Sequence, residues 1–260
     1  MRILIALAFL VFAAVPGWAA EDEADRAQRW KDLQHAVFGD RPVADGTGVV
    51  TLEAPPRALD AALVPITVTV ADTAHIKALY LTVDSNPSPL VGTFRFGPAA
   101  DPHVIRTRVR VEQYTLMHAV VETDDGRLLA AERFVKAAGG CSAPMGADSN
   151  LALSRLGQMR FRVEGDLSRP TATDTGRLLI SHPNNNGMQV DQFSHNFIPA
   201  RYIQSIKVST GDTVVFTLDS DISLSEDPSL TFDFRPAGPL NVEMEDSSRA
   251  VFKHSFDLPQ

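Results

Sequence analysis

The chain reads as an all-β protein, two antiparallel β-sandwiches in tandem behind one short N-terminal helix. Three observations predict this. Runs of five to nine residues that alternate apolar and polar side chains recur along most of the sequence, the two-residue period of a half-buried strand. Gly, Pro, Asn and Asp separate those runs at short spacing. Only one stretch after the first twenty residues carries the three- and four-residue apolar spacing of a helix.

Taken in order, the chain opens on Arg2, an apolar run from Ile3 to Val15, and then Pro16-Gly17-Trp18-Ala19-Ala20. This is the pattern of an export signal over residues 1–19, with cleavage after Ala19 leaving Gly17 and Ala19 at the two small-residue positions. The run is shorter than the roughly 20 apolar residues a spanning helix needs. No later stretch is long and apolar enough either, so no membrane insertion is expected after cleavage. Loss of Arg2 takes 24 basic residues to 23 against 32 acidic ones, a mature net charge of −9. That balance, with no Lys/Arg cluster, argues against nucleic acid as a partner. A content of 44% hydrophobic and 22% charged residues is that of an ordinary globular chain and argues against disorder.

The helix is expected over 25–38, where Trp30, Leu33 and Val37 share a face and Gly39 supplies the stop. A loop with a brief strand near 49–52 follows. Strands are then expected at 64–70, 76–83, 92–96, 105–111, 116–122 and 127–135, the last two joined by the hairpin signal Asp124-Asp125-Gly126. In the second half they are expected at 158–163, 177–182, 202–209, 213–218, 230–234, 241–245 and 250–258, with Gly211-Asp212 turning one hairpin. So many short strands with no helical pattern between them point to sandwiches, one over 20–138 and one over 151–260.

Between the two lies Gly139-Gly140-Cys141, within a small and polar linker, 139–150. Cys141 is the only cysteine in the chain, so it cannot form an intramolecular disulfide. In an exported protein an unpaired cysteine suggests intermolecular pairing or a free reactive thiol. Free cysteines are usually small buried hydrophobes, but a Gly/Ala/Ser/Pro-rich stretch offers little core to bury one in. Two preceding glycines leave the backbone free in φ and put no side chain beside the sulfur. The expectation is an exposed, mobile thiol on a hinge.

Other residues invite competing chemistry. The histidines, His35, His75, His103, His118, His182, His195 and His254, show no pair at the close spacing of zinc motifs, and no metal is expected. His182 and His195 bracket a Pro-Asn-Asn-Asn-Gly loop and could meet in space, whereas His254 alternates with Phe252 and Phe256 as on an apolar strand face. One cysteine and several histidines are the minimal parts of a thiol enzyme, but catalytic thiols are held rigidly beside their base. Gly139-Gly140 is not followed by the Gly-Lys-Ser/Thr of a phosphate loop. Arg106, Arg108 and Arg110 alternate with apolar residues and read as a modest positive patch, either an ordinary solvated face or an anion-steering surface.

The second half resembles SoxZ, one subunit of the sulfur-oxidation carrier SoxYZ. The likeness is carried by Leu179-Ile180-Ser181-His182-Pro183, by Gly187-Met188-Gln189 followed by Asp191, by Ile198-Pro199-Ala200 with Tyr202-Ile203-Gln204, and by Asp227-Pro228-Ser229-Leu230-Thr231-Phe232. The first half resembles SoxY, with a strand pattern that ends in Gly139-Gly140-Cys141. One exported chain with both halves is similar to the fused SoxYZ-like carriers associated with quinoprotein dehydrogenases. The resemblance implies immunoglobulin-like sandwiches, a periplasmic location and no catalytic residues. It implies that Cys141 holds sulfur intermediates covalently, on a mobile arm formed by Gly139 and Gly140, while partners oxidise or hydrolyse them. Those partners would be exported sulfur-oxidising enzymes or a quinoprotein dehydrogenase system, and no cofactor is expected beyond the bound sulfur. A sulfur-sulfur bond of this kind can be passed on by exchange.

The sequence departs from that family in one respect. The SoxY arm is a free Gly-Gly-Cys-Gly-Gly tail, whereas here Ser142-Ala143-Pro144 follows and the arm is tethered at both ends. The six residues from Val135 to Cys141 reach at most about 20 Å when extended. The alternative reading is a non-catalytic interaction module for an exported dehydrogenase, with no sulfur cargo.

Overall fold

The computed structural model describes residues 23–143, 153–164, 173–191 and 194–258. The expected signal segment 1–19 and residues 144–150 of the expected linker lie outside them. The helix α1 spans Glu23–Phe38, with Glu23 and Asp25 in its first turn, where carboxylates favour the exposed amide ends. It stops at Gly39, whose φ of 64° lets its amide bond back to the His35 carbonyl at 2.9 Å. Among the described residues no helix is long and apolar enough to cross a membrane.

Fifteen strands follow among the described residues. The first half supplies β1 (Val43–Asp45), β2 (Val50–Glu53), β3 (Val64–Val70), β4 (Ile76–Val83), β5 (Leu90–Phe96), β6 (Ala100–Val109), β7 (Thr115–Thr123) and β8 (Leu128–Val135). The second half supplies β9 (Met159–Glu164), β10 (Asp174–Ile180), β11 (Ile203–Thr210), β12 (Thr213–Ser220), β13 (Ser229–Phe234), β14 (Leu240–Asp246) and β15 (Val251–Phe256). The fold is all-β with an N-terminal helix, as the alternation predicts.

Each half divides its strands between two sheets, and both sheets run through both halves. The larger has the order β1-β8-β7-β4-β5-β12-β11-β14-β15 and the smaller β2-β3-β6-β13-β10-β9. The halves therefore meet edge to edge at two antiparallel seams. At one, Phe216 of β12 faces Phe96 of β5 in register and Ser220 faces Gly92; at the other, Phe232 of β13 faces Ile105 of β6. Joining edges in this way satisfies amide and carbonyl groups that two separate sandwiches would leave open. The core follows the sheets across the seam: Phe94 of β5 packs on Phe216 with ring centres 5.5 Å apart, and Phe216 meets Phe232 edge-on at 5.0 Å. Arg95 and Asp219 form an ion pair over the same seam.

Two elements differ from the sequence reading. The segment Val43–Asp45, read as loop, is a strand that pairs parallel with β8, and three residues are too few to show a period. The strand expected at 105–111 instead runs Ala100–Val109, because Asp101-Pro102 looks like a turn and because the chain leaves the ladder at Arg110. Pro65 sits inside β3 without breaking the sheet: β2 pairs with β3 only from Thr67 to Val70, so at Pro65 that side of the strand is an edge.

Candidate functional site

The stretch that leaves β6 builds the site. Arg110 donates its amide to the Ser223 carbonyl (2.9 Å), Val111 to the Ala61 carbonyl (2.8 Å) and Glu112 to Oδ1 of Asn86 (2.9 Å). Asn86, itself buried, returns Nδ2 to the Arg110 carbonyl (2.7 Å) and to Oγ of Ser223 (2.9 Å), which ties both halves to this turn. The cysteine arm lies along it. Gly139 donates to the Glu112 carbonyl at 2.8 Å and Gly140 to the Val111 carbonyl at 3.0 Å. Gly139 adopts a φ of 78°, which a residue with a Cβ rarely tolerates. A Cβ on Gly140 would overlap the Ala61 carbonyl and lie 2.7 Å from that of Val111. The two glycines are what lets the backbone turn and then press this close.

Cys141 is 1% exposed. Its amide donates to Oε2 of Glu112 at 2.8 Å, and its carbonyl accepts from Nδ2 of Asn186 at 2.6 Å. The arm is thus held from both halves of the chain, the first through Glu112 and the second through Asn186. This corrects the expectation of an exposed thiol on a mobile hinge. The seam between the halves supplies a core that a Gly/Ala/Ser/Pro-rich stretch, read alone, does not reveal. Burial pushes the thiol up to about 12, with the Glu112 carboxylate adding to the rise and Arg110 opposing it. At neutral pH the sulfur is a thiol here, not the thiolate that acts as nucleophile.

Arg110 corrects a second expectation. Arg106 is exposed and Arg108 partly so, but Arg110 is 1% exposed and belongs to no surface patch. Its guanidinium reaches the Gly140 carbonyl through Nη1 (3.3 Å) and the Asn184 carbonyl through Nη2 (3.4 Å), while Nε has no partner. Burial lowers its pKa, and the Glu226, Cys141 and Asp60 charges act in the opposite direction.

The second half meets the arm through a polar loop after β10. Asn184 holds a φ of 44°, fixed by Nδ2 donating to the Ser225 carbonyl (2.8 Å) and Oδ1 accepting from the Ile203 amide (2.9 Å). Asn186 takes its orientation from the Met188 amide on Oδ1 (2.9 Å), and its own amide donates to Oε1 of Gln189 (3.0 Å). Gln189 is fully buried and its Nε2 has no partner. Beneath the loop, Nδ1 of His182 accepts from the Asn184 amide (3.0 Å), which leaves Nε2 to donate to Oδ2 of Asp246 (3.5 Å). Burial lowers the His182 pKa, so it stays neutral. Burial alone would raise Asp246, but hydrogen bonds from Ser248 and Arg201 and from the Ala250 and Ser248 amides outweigh it and bring it down to about 2.

The histidines do not converge. His182 is buried on Asp246, whereas His195 is exposed, and His35, His75, His103 and His254 are exposed on separate elements. His118 is buried between Asp84 and Glu132 with Trp30 stacked on its ring at 3.6 Å, beside a cleft of about 630 Å³ under α1 that shares no lining residue with the arm's partners. Among the described residues no group of three or more His, Cys, Asp or Glu is placed to hold a metal ion. Sequence reasoning did not single out Glu112 or Asn186, and it named Gln189 only as part of the SoxZ-like motif. The signal was there for Gln189 and Asn186, which stand inside or next to the SoxZ-like motif after His182.

Residues 34–141 match the family of sulfur oxidation protein SoxY, so that the match ends on Cys141, and residues 168–257 match the family of sulphur oxidation protein SoxZ. No curated protein is significantly similar to the chain. Among solved structures, the sulfur carrier protein SoxY from Chlorobium limicola f thiosulfatophilum is 28% identical over 44% of this chain and 96% of its own, with a TM-score of 0.38. A superoxide reductase (neelaredoxin) from Ignicoccus hospitalis is 16% identical over 34% of this chain and 79% of its own, with a TM-score of 0.30. The chain carries a SoxY domain and a SoxZ domain in tandem.

Proposed function

We propose that this protein is a covalent carrier of sulfur intermediates, with Cys141 as the attachment atom, and that it performs no catalysis of its own. The observation that carries the reading is that the only cysteine in the chain closes the SoxY-matched segment on a Gly-Gly arm seated between the SoxY and SoxZ domains. The apolar run and small residues of 1–19 support export to the periplasm. The partners that fit are exported sulfur-oxidising enzymes or a quinoprotein dehydrogenase system.

In this reading the seated arm is the closed form, and loading takes place when the arm leaves its seat. With burial holding the seated thiol at about 12, far less of it is ionised at pH 7 than of an unperturbed cysteine. A small open population therefore presents more thiolate than all the closed molecules together. A short-lived opening is enough to carry the exchange chemistry.

The burial of the thiol also favours a second reading, an interaction module for an exported dehydrogenase in which Cys141 is a structural residue with no cargo. Intact-mass measurement of protein purified from the exporting compartment, before and after reductant and beside Cys141→Ser, separates the two. A reductant-sensitive sulfur adduct that requires Cys141 supports the carrier and identifies what it carries. A bare thiol that stays bare with thiosulfate, sulfide or polysulfide and an oxidising partner moves the assignment to the interaction module.

A further inference from the structure

Arg106 of β6 and Arg177 of β10 stand in one row of the smaller sheet with Thr231 of β13 between them, for Thr231 faces Arg106 on one side and Arg177 on the other. Thr67 of β3 continues the row through the first half and Arg162 of β9 through the second. Two residues along, Arg108 faces Pro65 of β3, and Ser229 of β13 faces Leu179 of β10. All of these alternate with buried apolar residues such as Ile105, Leu178, Leu230 and Phe232, so they share the outer face of the sheet. Long arginines on β6 and β10 rise on either side of the short hydroxyl side chains of β13. The result is a trough, a cavity of about 330 Å³ whose lining includes Arg106, Arg108, Arg177, Thr231, Ser229 and Glu164. Its two walls belong to different halves of the chain, so the trough is a product of the β6–β13 seam.

The outer face as a whole is close to balanced: Arg106, Arg108, Arg160, Arg162 and Arg177 meet Glu53, Asp101, Glu164 and Asp233. The charges are unevenly placed. Asp101 and Asp233 face one another in the next row, and Glu53 lies beyond Thr67 on the edge strand β2. Only Glu164 enters the trough, where Arg162 holds it at 3.1 Å and Arg177 stands 3.7 Å away. Three lining arginines against that one carboxylate leave two positive charges. Arg106 acts on Asp233 across the rows, and no ion pair among the described residues includes Arg106 or Arg108. Arg108 donates Nη2 to the Asp227 carbonyl at 2.7 Å, whereas its buried Nε has no acceptor. Arg177 donates Nε to Oγ of Ser229 at 3.2 Å, which leaves the Ser229 hydroxyl proton to give.

We propose that this trough binds a small divalent oxyanion of the sulfate or phosphate type, gripped by Arg106 and Arg108 from one wall and Arg177 from the other, over the Thr231 and Ser229 hydroxyls. Neighbouring strands lie about 4.8 Å apart, so the walls are about 10 Å apart at the backbone. Guanidinium groups leaning in from both sides leave width for one tetrahedral group with hydrogen bonds of about 2.9 Å, and none for a partner's helix or strand. Two uncompensated charges and several fixed donors favour a divalent group with many acceptor oxygens over a single carboxylate. The site uses no atom of the cysteine arm and stands independently of the carrier reading.

The test is a titration of the isotope-labelled full chain with sulfate, at an ionic strength held constant with chloride, followed by amide chemical shifts. Shifts centred on Thr67, Arg106, Arg177, Ser229 and Thr231 should saturate at millimolar sulfate or below. Arg106→Gln and Arg177→Gln should each weaken binding by about tenfold or more, the scale of a hydrogen bond to a charged group. Arg160→Gln removes the same charge from the same face outside the trough and should change binding by less than about twofold. Shifts that never saturate, or an Arg160→Gln loss equal to that of Arg106→Gln, would mean diffuse attraction and overturn the proposal. Nitrate binding as well as sulfate would overturn the divalent assignment, and a Glu-rich peptide that displaces sulfate at equal concentration would give the trough to an acidic partner instead. Arg177→Gln also releases Glu164, so if that variant does not fold, Arg106→Gln, on an exposed side chain without an ion pair, decides alone.

Discussion

Oε2 of Glu112 accepts from the Cys141 amide at 2.8 Å, so one carboxylate anchors the cysteine's backbone and opposes the ionisation of its sulfur. The two effects separate on substitution. Glu112→Gln keeps an acceptor for the amide and removes the charge that opposes the thiolate. The thiol therefore ionises at lower pH while the arm stays seated, and the ultraviolet absorbance of the thiolate grows in at lower pH than in the wild type. A titration unchanged from wild type would show that the Glu112 charge does not set the thiol's acidity.

Asn186 is the hold from the other half. Asn186→Ala removes the 2.6 Å bond to the Cys141 carbonyl and leaves that carbonyl without its partner, a cost of about 1–3 kcal/mol to the closed arm. Amide exchange at Gly140 and Cys141 is expected to quicken by about tenfold or more, with thiol reactivity rising in parallel and global unfolding little changed. Equal exchange in variant and wild type would place the hold elsewhere.

Gly140 gives the complementary case, in which the seat itself is crowded. A Cβ there meets the backbone oxygens of Ala61 and Val111, which belong to paired segments and cannot move aside cheaply. Gly140→Ala is expected to destabilise the closed arm by about 1–3 kcal/mol, the usual scale of overpacking. Its thiol should react with a neutral disulfide faster than the wild type's by about 5- to 150-fold, the change in open population that this cost gives, whereas a rate like the wild type's would mean that the seat yields.

Acid stability should carry the mark of His182. Its folded pKa is depressed, so the unfolded chain binds this proton first as pH falls, and the stabilisation it reflects is present above the ordinary histidine value of about 6.5 and is lost below it. Asp246, held at about 2, stays charged through that range, and its own contribution disappears only between about 3.8 and 2. Urea midpoints should therefore fall between pH 7.5 and 5, and His182→Gln should flatten the fall. A variant with the same slope as wild type would assign it to other groups.

The strands were legible to within a residue or two almost everywhere, because β2, β3 and β14 carry their burial in a two-residue alternation that local sequence expresses directly. What was not legible was the contact between strands far apart in the chain. Phe216 reads simply as an inward residue of β12, and nothing local says that it packs on Phe94 across a seam. The same blindness misplaced Arg110 and Cys141. An arginine after alternating arginines reads as exposed, and a cysteine after two glycines reads as free, until the second half is folded over both. Cys141 was found because it is unique, whereas Glu112 and Asn186 are ordinary residues whose meaning comes from what they reach.

The seam itself can be tested. Phe216→Ala should cost about 3–5 kcal/mol, as a large aromatic removed from a packed core does, and should weaken the union of the halves as well as the fold of the second. A protease site placed between residues 143 and 153 and then cut should leave the two fragments eluting together, since the described contacts between them are strand pairs and buried rings. Fragments that part in native buffer would contradict that arrangement.

Those seams also change how the protein answers to dilution. Had the two domains been separate subunits, their union would obey mass action, and a carrier diluted into a large compartment would fall apart below its dissociation constant. Tethering converts that encounter into an intramolecular one, at an effective concentration in the millimolar range for a short connection, whatever the number of molecules present. The joint that closes over Cys141 is then equally occupied at one copy or at thousands.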